Sequence, residues 1–123
     1  MGDMQSLLDQ ARALGEAIAA HERVRAFVDA QITVQKNDEA VALLRDYYQQ
    51  VEHVQKLQQE QKPIEVSDKQ KLAELETKMS TNSVVSGLMR AQADYTELMN
   101  QVNNTMGNTL TAKQQEALKP QSA

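Results

Sequence analysis

Two histidines and a scatter of carboxylates are the residues in this chain whose types could do chemistry. His21 precedes Glu22, the opening of a helical zinc motif in which a second His four residues after the first completes the ligand pair and the Glu serves as base. That place is held by Arg25, a cation that cannot ligate, so His21 reads as a helix-junction residue. His53 follows Glu52, but a carboxylate-bridged metal site in a helical bundle needs Glu three residues before the His, and Gln50 stands there. Asp94 and Glu97 are one turn apart and could be imagined as an acid and a base. Their neighbours on the same stretch are polar, which places them on a solvated helix face. The sequence contains no cysteine, closing disulfides, thiol nucleophiles and thiolate metal sites together. It has no glycine-rich phosphate loop and no nucleophile elbow, and Gly87 is read instead as permitting close helix approach. The chain is therefore expected to be no enzyme and to carry neither cofactor nor metal.

The elements that would position any site are all predicted to be helices. One Phe, three Tyr and no Trp supply little for a sandwich or barrel core, and four Gly with two Pro leave little material for many tight turns. At 123 residues the chain has the length of one domain that buries roughly two thirds of the surface its unfolded form exposes. Its net charge is −4, and from Lys56 to Lys78 five Lys alternate with five acidic residues. A nucleic-acid backbone would meet a repulsive mean field, and direct nucleic-acid binding is not expected. The apolar runs Ala17–Ala20 and Ala40–Leu44 fall far short of the ~20 residues a bilayer crossing needs. The start of the chain, MGDMQSLLDQ, has no basic prelude to an apolar core, so a cytoplasmic protein without membrane insertion is the expectation.

Periodicity divides the chain. Leu7, Ala11, Leu14 and Ile18 mark one face of a first helix whose rhythm fails near Ala20, where His21 and Arg25 would continue it. Phe27, Ala30 and Val34 define a short second helix, ending before Asn37 or Asp38 caps a third. The third is predicted over Asp38 to Gln61 on the seam Leu44, Tyr47, Val51 and Val54, until Pro63 stops it. Ser67 and Gln70 have the spacing of a capping box for a fourth helix with Leu72, Leu75 and Met79 inward. Three such side chains cannot offset the ordering of a dozen residues, so this helix must dock on something larger.

The fifth segment, Met79 to Met106, keeps the strictest helical time: Val85, Leu88, Gln92, Tyr95, Met99, Val102 and Met106 step by three and four, with Val84, Ala91 and Leu98 in a row alongside. Met99 and Met106 are expected in the core, and Met89, off the seam, is the candidate for partner contact. Gly107 and Asn108 are expected to end this helix, and Thr111 to start a last short one before a frayed tail, giving a domain over 1–110 with an appendage over 111–123. The expected fold is all-α, a bundle built on an antiparallel hairpin of the two long helices, the third and fifth, with shorter N-terminal and connecting helices. The double row on the fifth helix is wider than one partner covers, which predicts a homodimer or other homo-oligomer.

The first-helix face from Leu7-Leu8 to Ile18, the break after it, Phe27 and Ala30 carry the first half of a family resemblance. The capped Asp38-Glu39-Ala40 start, the Gln-rich end of the third helix, Asn82 with Val85, and the run from Tyr95 to Val102 complete it. In this order they resemble the YlbF/YmcA family of small helical bacterial proteins, over roughly residues 5 to 107. The resemblance implies a non-enzymatic, self-associating cytoplasmic regulator that acts through a protein partner, in some members RNA-processing machinery built on the membrane-anchored endoribonuclease RNase Y. Asn82-Ser83 and Ala91-Gln92 stand where relatives usually have Asn-Pro and Ala-Glu. Members that help hold iron-sulfur clusters use cysteines, which this chain lacks. The reading that follows is a regulatory adaptor working by helix-to-helix contact, with a self-assembling structural or chaperone-like protein as the alternative.

Overall fold

The structure, a computed structural model, describes residues 2–120. Within them the chain forms five helices: α1 (Asp3–Ala19), α2 (Glu22–Gln35), α3 (Asp38–Gln59), α4 (Val66–Thr81) and α5 (Ser83–Leu118). The all-α bundle expected from composition and periodicity is the fold observed, and the predicted break after the first helix falls at Ala20 and His21.

Local chemistry sets most boundaries. His21 caps α2, its Nδ1 accepting from the Arg23 backbone N–H at 3.0 Å, which gives this histidine a structural task. Asn37 caps α3, Oδ1 accepting from the Ala40 N–H at 2.9 Å, so of the two expected caps it is Asn37 that serves. α3 ends at Gln59, two residues before the predicted limit. Gln61 takes a left-handed conformation, φ 57°, while the Lys62 N–H reaches back to the Leu57 carbonyl at 2.9 Å, the closure typical of a helix terminus. α4 starts one residue before Ser67. The carboxylate of Asp68, not the Ser67/Gln70 pair, holds the start, its Oδ2 accepting from the Glu65 N–H at 3.3 Å, as suits an anion near the positive end of a helix. Asn82 is the one residue between α4 and α5. Its backbone N–H closes α4 on the Lys78 carbonyl, and its Oδ1 accepts from both Val84 and Val85, each at 3.0 Å.

The pairing of the long helices is corrected. α3 and α5 touch, but α5 lies chiefly along α2 and α3 chiefly along α4. The α2–α5 pair is antiparallel: Phe27 stacks on Tyr95, ring centroids 5.0 Å apart at 28°, while Arg23, four residues earlier, reaches Glu97 at 3.8 Å. The core sits where α2, α3, α4 and α5 meet, around Val34, Ala40, Leu44, Met79 and Val85. α4 does dock on a larger neighbour, through Leu75 and Met79, as its thin apolar face requires.

α5 is also longer than expected, a single helix of 36 residues. Gly107 does not end it, so the stretch from Thr111 to Leu118 continues the same helix rather than forming a sixth. The expected fraying of 121–123 lies outside the described residues. A glycine can remain helical inside a long helix at a cost of about 1 kcal/mol, and a Cβ at Gly107 would meet nothing within 4 Å. Gly107→Ala should therefore raise stability by up to about 1 kcal/mol, read as a higher Tm; a lower Tm would refute the placement. A Cβ at Gly87 likewise meets nothing within 4 Å, so that glycine does not serve close helix approach.

Candidate functional site

The predicted seam residues sort into three environments. Leu44 and Val85 are core, and Val85 is fully buried. Tyr47, Leu88 and Met89 pack against that core, and Val51, Val54, Tyr95, Leu98, Met99 and Val102 are half-buried. Met106, expected inside, is 48% exposed.

The reason lies in the drift of the buried row along α5. Gln92 is exposed whereas Ala91 is half-buried, so the inward row runs Val84, Leu88, Ala91, Tyr95, Leu98, Val102. Its next steps, Thr105 and Thr109, are polar, and every residue of α5 from Asn103 to Leu118 is exposed. Met106 belongs to a separate stripe with Leu110 and Leu118, all open to solvent.

α1 is exposed to the same degree. It contains no buried residue, Ile18 alone is half-buried, and Leu7 is 61% exposed. Its apolar face borders a groove lined by Leu7, Ala11, Leu14, Ile18 and Met106. The chain's accessible surface is 9659 Å², against about 6,600 Å² for a compact monomer of its mass. The surplus is large on the scale of protein interfaces.

A second apolar groove opens at the junction of α3, α4 and α5, walled by Tyr47, Met79 and Met89 with Glu76, Ser80 and Ser86 at its edges. Met89 is thus placed both against the core and on the wall of an open groove. The sequence placed it off the seam; its packing against the core was missed.

The polar clefts offer structural contacts. Between α3 and α4, Gln50 is 5% exposed and donates from Nε2 to the Asp68 carbonyl at 3.0 Å, while His53 Nε2 lies 3.2 Å from Asp68 Oδ1. Asp68 therefore joins the two helices and holds the start of α4 at once. Gln50 escaped sequence reasoning as a core residue, although its place three residues after Tyr47 and four before Val54 put it on the inward face. Asp94 is exposed, and Glu97, also exposed, reaches Arg23. Among the described residues no group of three or more His, Asp or Glu is arranged to hold a metal ion, and no helix is long and apolar enough to cross a membrane.

Five helices around a small core, with apolar faces left open at one end and at the α3–α4–α5 junction, define a small all-α bundle. Residues 7–111 match the family model Com_YlbF, described as control of competence regulator ComK, YlbF/YmcA; the chain belongs to this family. Among solved structures it is similar to a chain in the crystal structure of Bacillus subtilis RicA in complex with RicF, at 19% identity and a TM-score of 0.73, covering 88% of this chain and 96% of that one. That likeness is one of fold. No curated protein matches the chain.

Proposed function

We propose that this protein is a non-enzymatic regulatory adaptor that acts by docking a helical protein partner, RNA-processing machinery of the RNase Y type being the partner class its family suggests. The observation that carries the reading is the open groove walled by Tyr47, Met79 and Met89. A flexible thioether on such a wall adapts to an inserted side chain without a preformed slot. Family membership supports regulation, and the RicA–RicF complex supports a protein as the thing bound. The self-assembling or chaperone-like alternative would draw instead on the uncovered apolar face of α1 and the exposed far end of α5.

The test is affinity capture from the native organism, followed by titration of the purified partner against wild type and Met89→Glu. A carboxylate on the groove wall should weaken that complex by about 30-fold, the effect of losing roughly 2 kcal/mol at a central contact. Equal affinity of the two proteins would remove Met89 from the interface, and a partner that is itself the substrate of a reaction catalysed by this chain would overturn the adaptor reading.

A further inference from the structure

The groove walled by Tyr47, Met79 and Met89 does not end at Met89. On α5 the residues Ser86, Met89, Ala93, Thr96 and Asn100 step by three and four, the spacing of one helix face. From Met89 a shallow depression continues over Ala93 and Thr96 to Glu97 and Asn100, so Met89 lines both the groove and its extension. This face is turned away from α2, which meets α5 through Tyr95, and beyond Met89 its residues are exposed. From Ser86 to Asn100 it runs about 21 Å, four turns of helix. The small side chains along that length allow a second helix to lie close.

The charge on this track has one sign. Its charged liners are Glu76, at the edge of the groove, and Glu97, in the extension. Glu76 has no ion pair among the described residues. Glu97 has the long contact with Arg23 at 3.8 Å, its side chain 60% exposed, and accepts from Gln101 Nε2 at 3.3 Å, which leaves acceptor capacity on the carboxylate. Arg90 and Asp94 flank the track on α5, one turn apart, and offset each other in sign.

We propose that the partner's docking element is a basic amphipathic helix. An apolar side chain enters the Tyr47–Met79–Met89 groove, the helix lies along α5, and Lys or Arg on either side of that anchor meet Glu76 and Glu97. This rests on the adaptor reading and adds the chemistry of what is docked. The chain's own uncovered elements do not fit the description. α1 carries Asp3, Asp9 and Glu16 against Arg12 alone, and on the exposed end of α5 the one cation within the helix, Lys113, lies 3.8 Å from Glu116. A nucleic-acid backbone would be repelled by the same two carboxylates.

The probe is a synthetic helical peptide of about 18 residues with Leu at three- and four-residue spacing on one face and Arg on either side of it; its twin has Glu in place of the Arg. With the methionine methyls of the full chain isotope-labelled for NMR, the Arg peptide should shift the Met79 and Met89 signals. Met4, on α1, and Met106, on the far end of α5, should stay unmoved. The Glu twin should bind at least about tenfold more weakly. Glu76→Gln/Glu97→Gln should weaken the Arg peptide by about fivefold at low salt, a difference that shrinks as salt rises, with circular dichroism unchanged because both carboxylates are exposed. An Arg peptide that shifts Met4 or Met106 alone, or no methionine, would overturn the proposal, as would equal binding of the twins or indifference to Glu76→Gln/Glu97→Gln. A native partner weakened by Met89→Glu but not by the carboxylate variant would overturn it too while leaving the adaptor reading intact. A partner that proves to be a substrate of this chain would overturn the adaptor reading while the preference for the Arg peptide stands.

Discussion

Val85→Asp should abolish cooperative folding. Val85 is fully buried, and it packs in a cluster with Val34, Ala40, Leu44 and Met79 that contains no cation or polar side chain to receive a carboxylate. Burying a charge without a partner costs several kcal/mol even after local relaxation. Domains of this kind have about 5–15 kcal/mol in total, and a chain with so few fully buried side chains sits toward the bottom of that range. The expected outcome is loss of the sigmoidal thermal transition by circular dichroism. Val85→Ala, which removes two methyl groups and adds no charge, should retain a transition with stability lower by about 1–2.5 kcal/mol. If the Asp variant melts within about 1 kcal/mol of wild type, the core has been placed on the wrong residues.

Removing the Phe27–Tyr95 contact should be the next most damaging change. The two rings are stacked at 5.0 Å and join α2 to α5, the most extensive helix pairing in the molecule. Both residues are half-buried, so Phe27→Ala or Tyr95→Ala should each cost about 2–3 kcal/mol, below the 3–5 kcal/mol of a fully enclosed ring. Stacked rings are coupled by about 0.5–1.5 kcal/mol beyond the area they bury. The double variant should accordingly be less destabilised than the sum of the two by about 1 kcal/mol, measured as a double-mutant cycle in urea. Strict additivity would show that the rings do not support one another.

What the sequence made legible follows from the range of each interaction. Asn37, Asn82 and the break after α1 act over a few residues, and the chain announces them through residue type and spacing. The helix partners do not announce themselves. The seams on the third and fifth helices match in width and length, which favours pairing them, but the second helix carries Phe27 opposite Tyr95 and so takes the α5 face. Polar Gln50 was invisible as core because its burial depends on the Asp68 carbonyl, 18 residues away in sequence. Met106 failed because the buried row drifts from Gln92 to Ala91 within one turn, and a strict seven-residue count carries the error forward to the end of the helix.

For the binding surface the balance differs. The wide stripe on the fifth helix pointed to neighbours on more than one side, and apart from Gln92 both of its rows are at least half-buried within the chain as far as Val102. The uncovered apolar face of α1 was not legible, since α1 reads as an ordinary amphipathic helix whose inward face must be covered by its own chain. Met89 shows both sides of this: its distance from the predicted seam pointed to contact outside the core, while the fold gives its side chain one edge in the core and one on the groove.

The single-residue joint at Asn82 fixes where α5 starts relative to the end of α4. The Asn82 backbone N–H closes α4 on the Lys78 carbonyl while its Oδ1 and carbonyl accept from the first turn of α5, so no slack separates the two helices. From there α5 extends 36 residues, about 54 Å. The first half of that length packs along α2 and is held there by Phe27 against Tyr95 and Arg23 against Glu97, so the exposed stretch beyond Val102, about 24 Å, projects as a rigid continuation of the packed half.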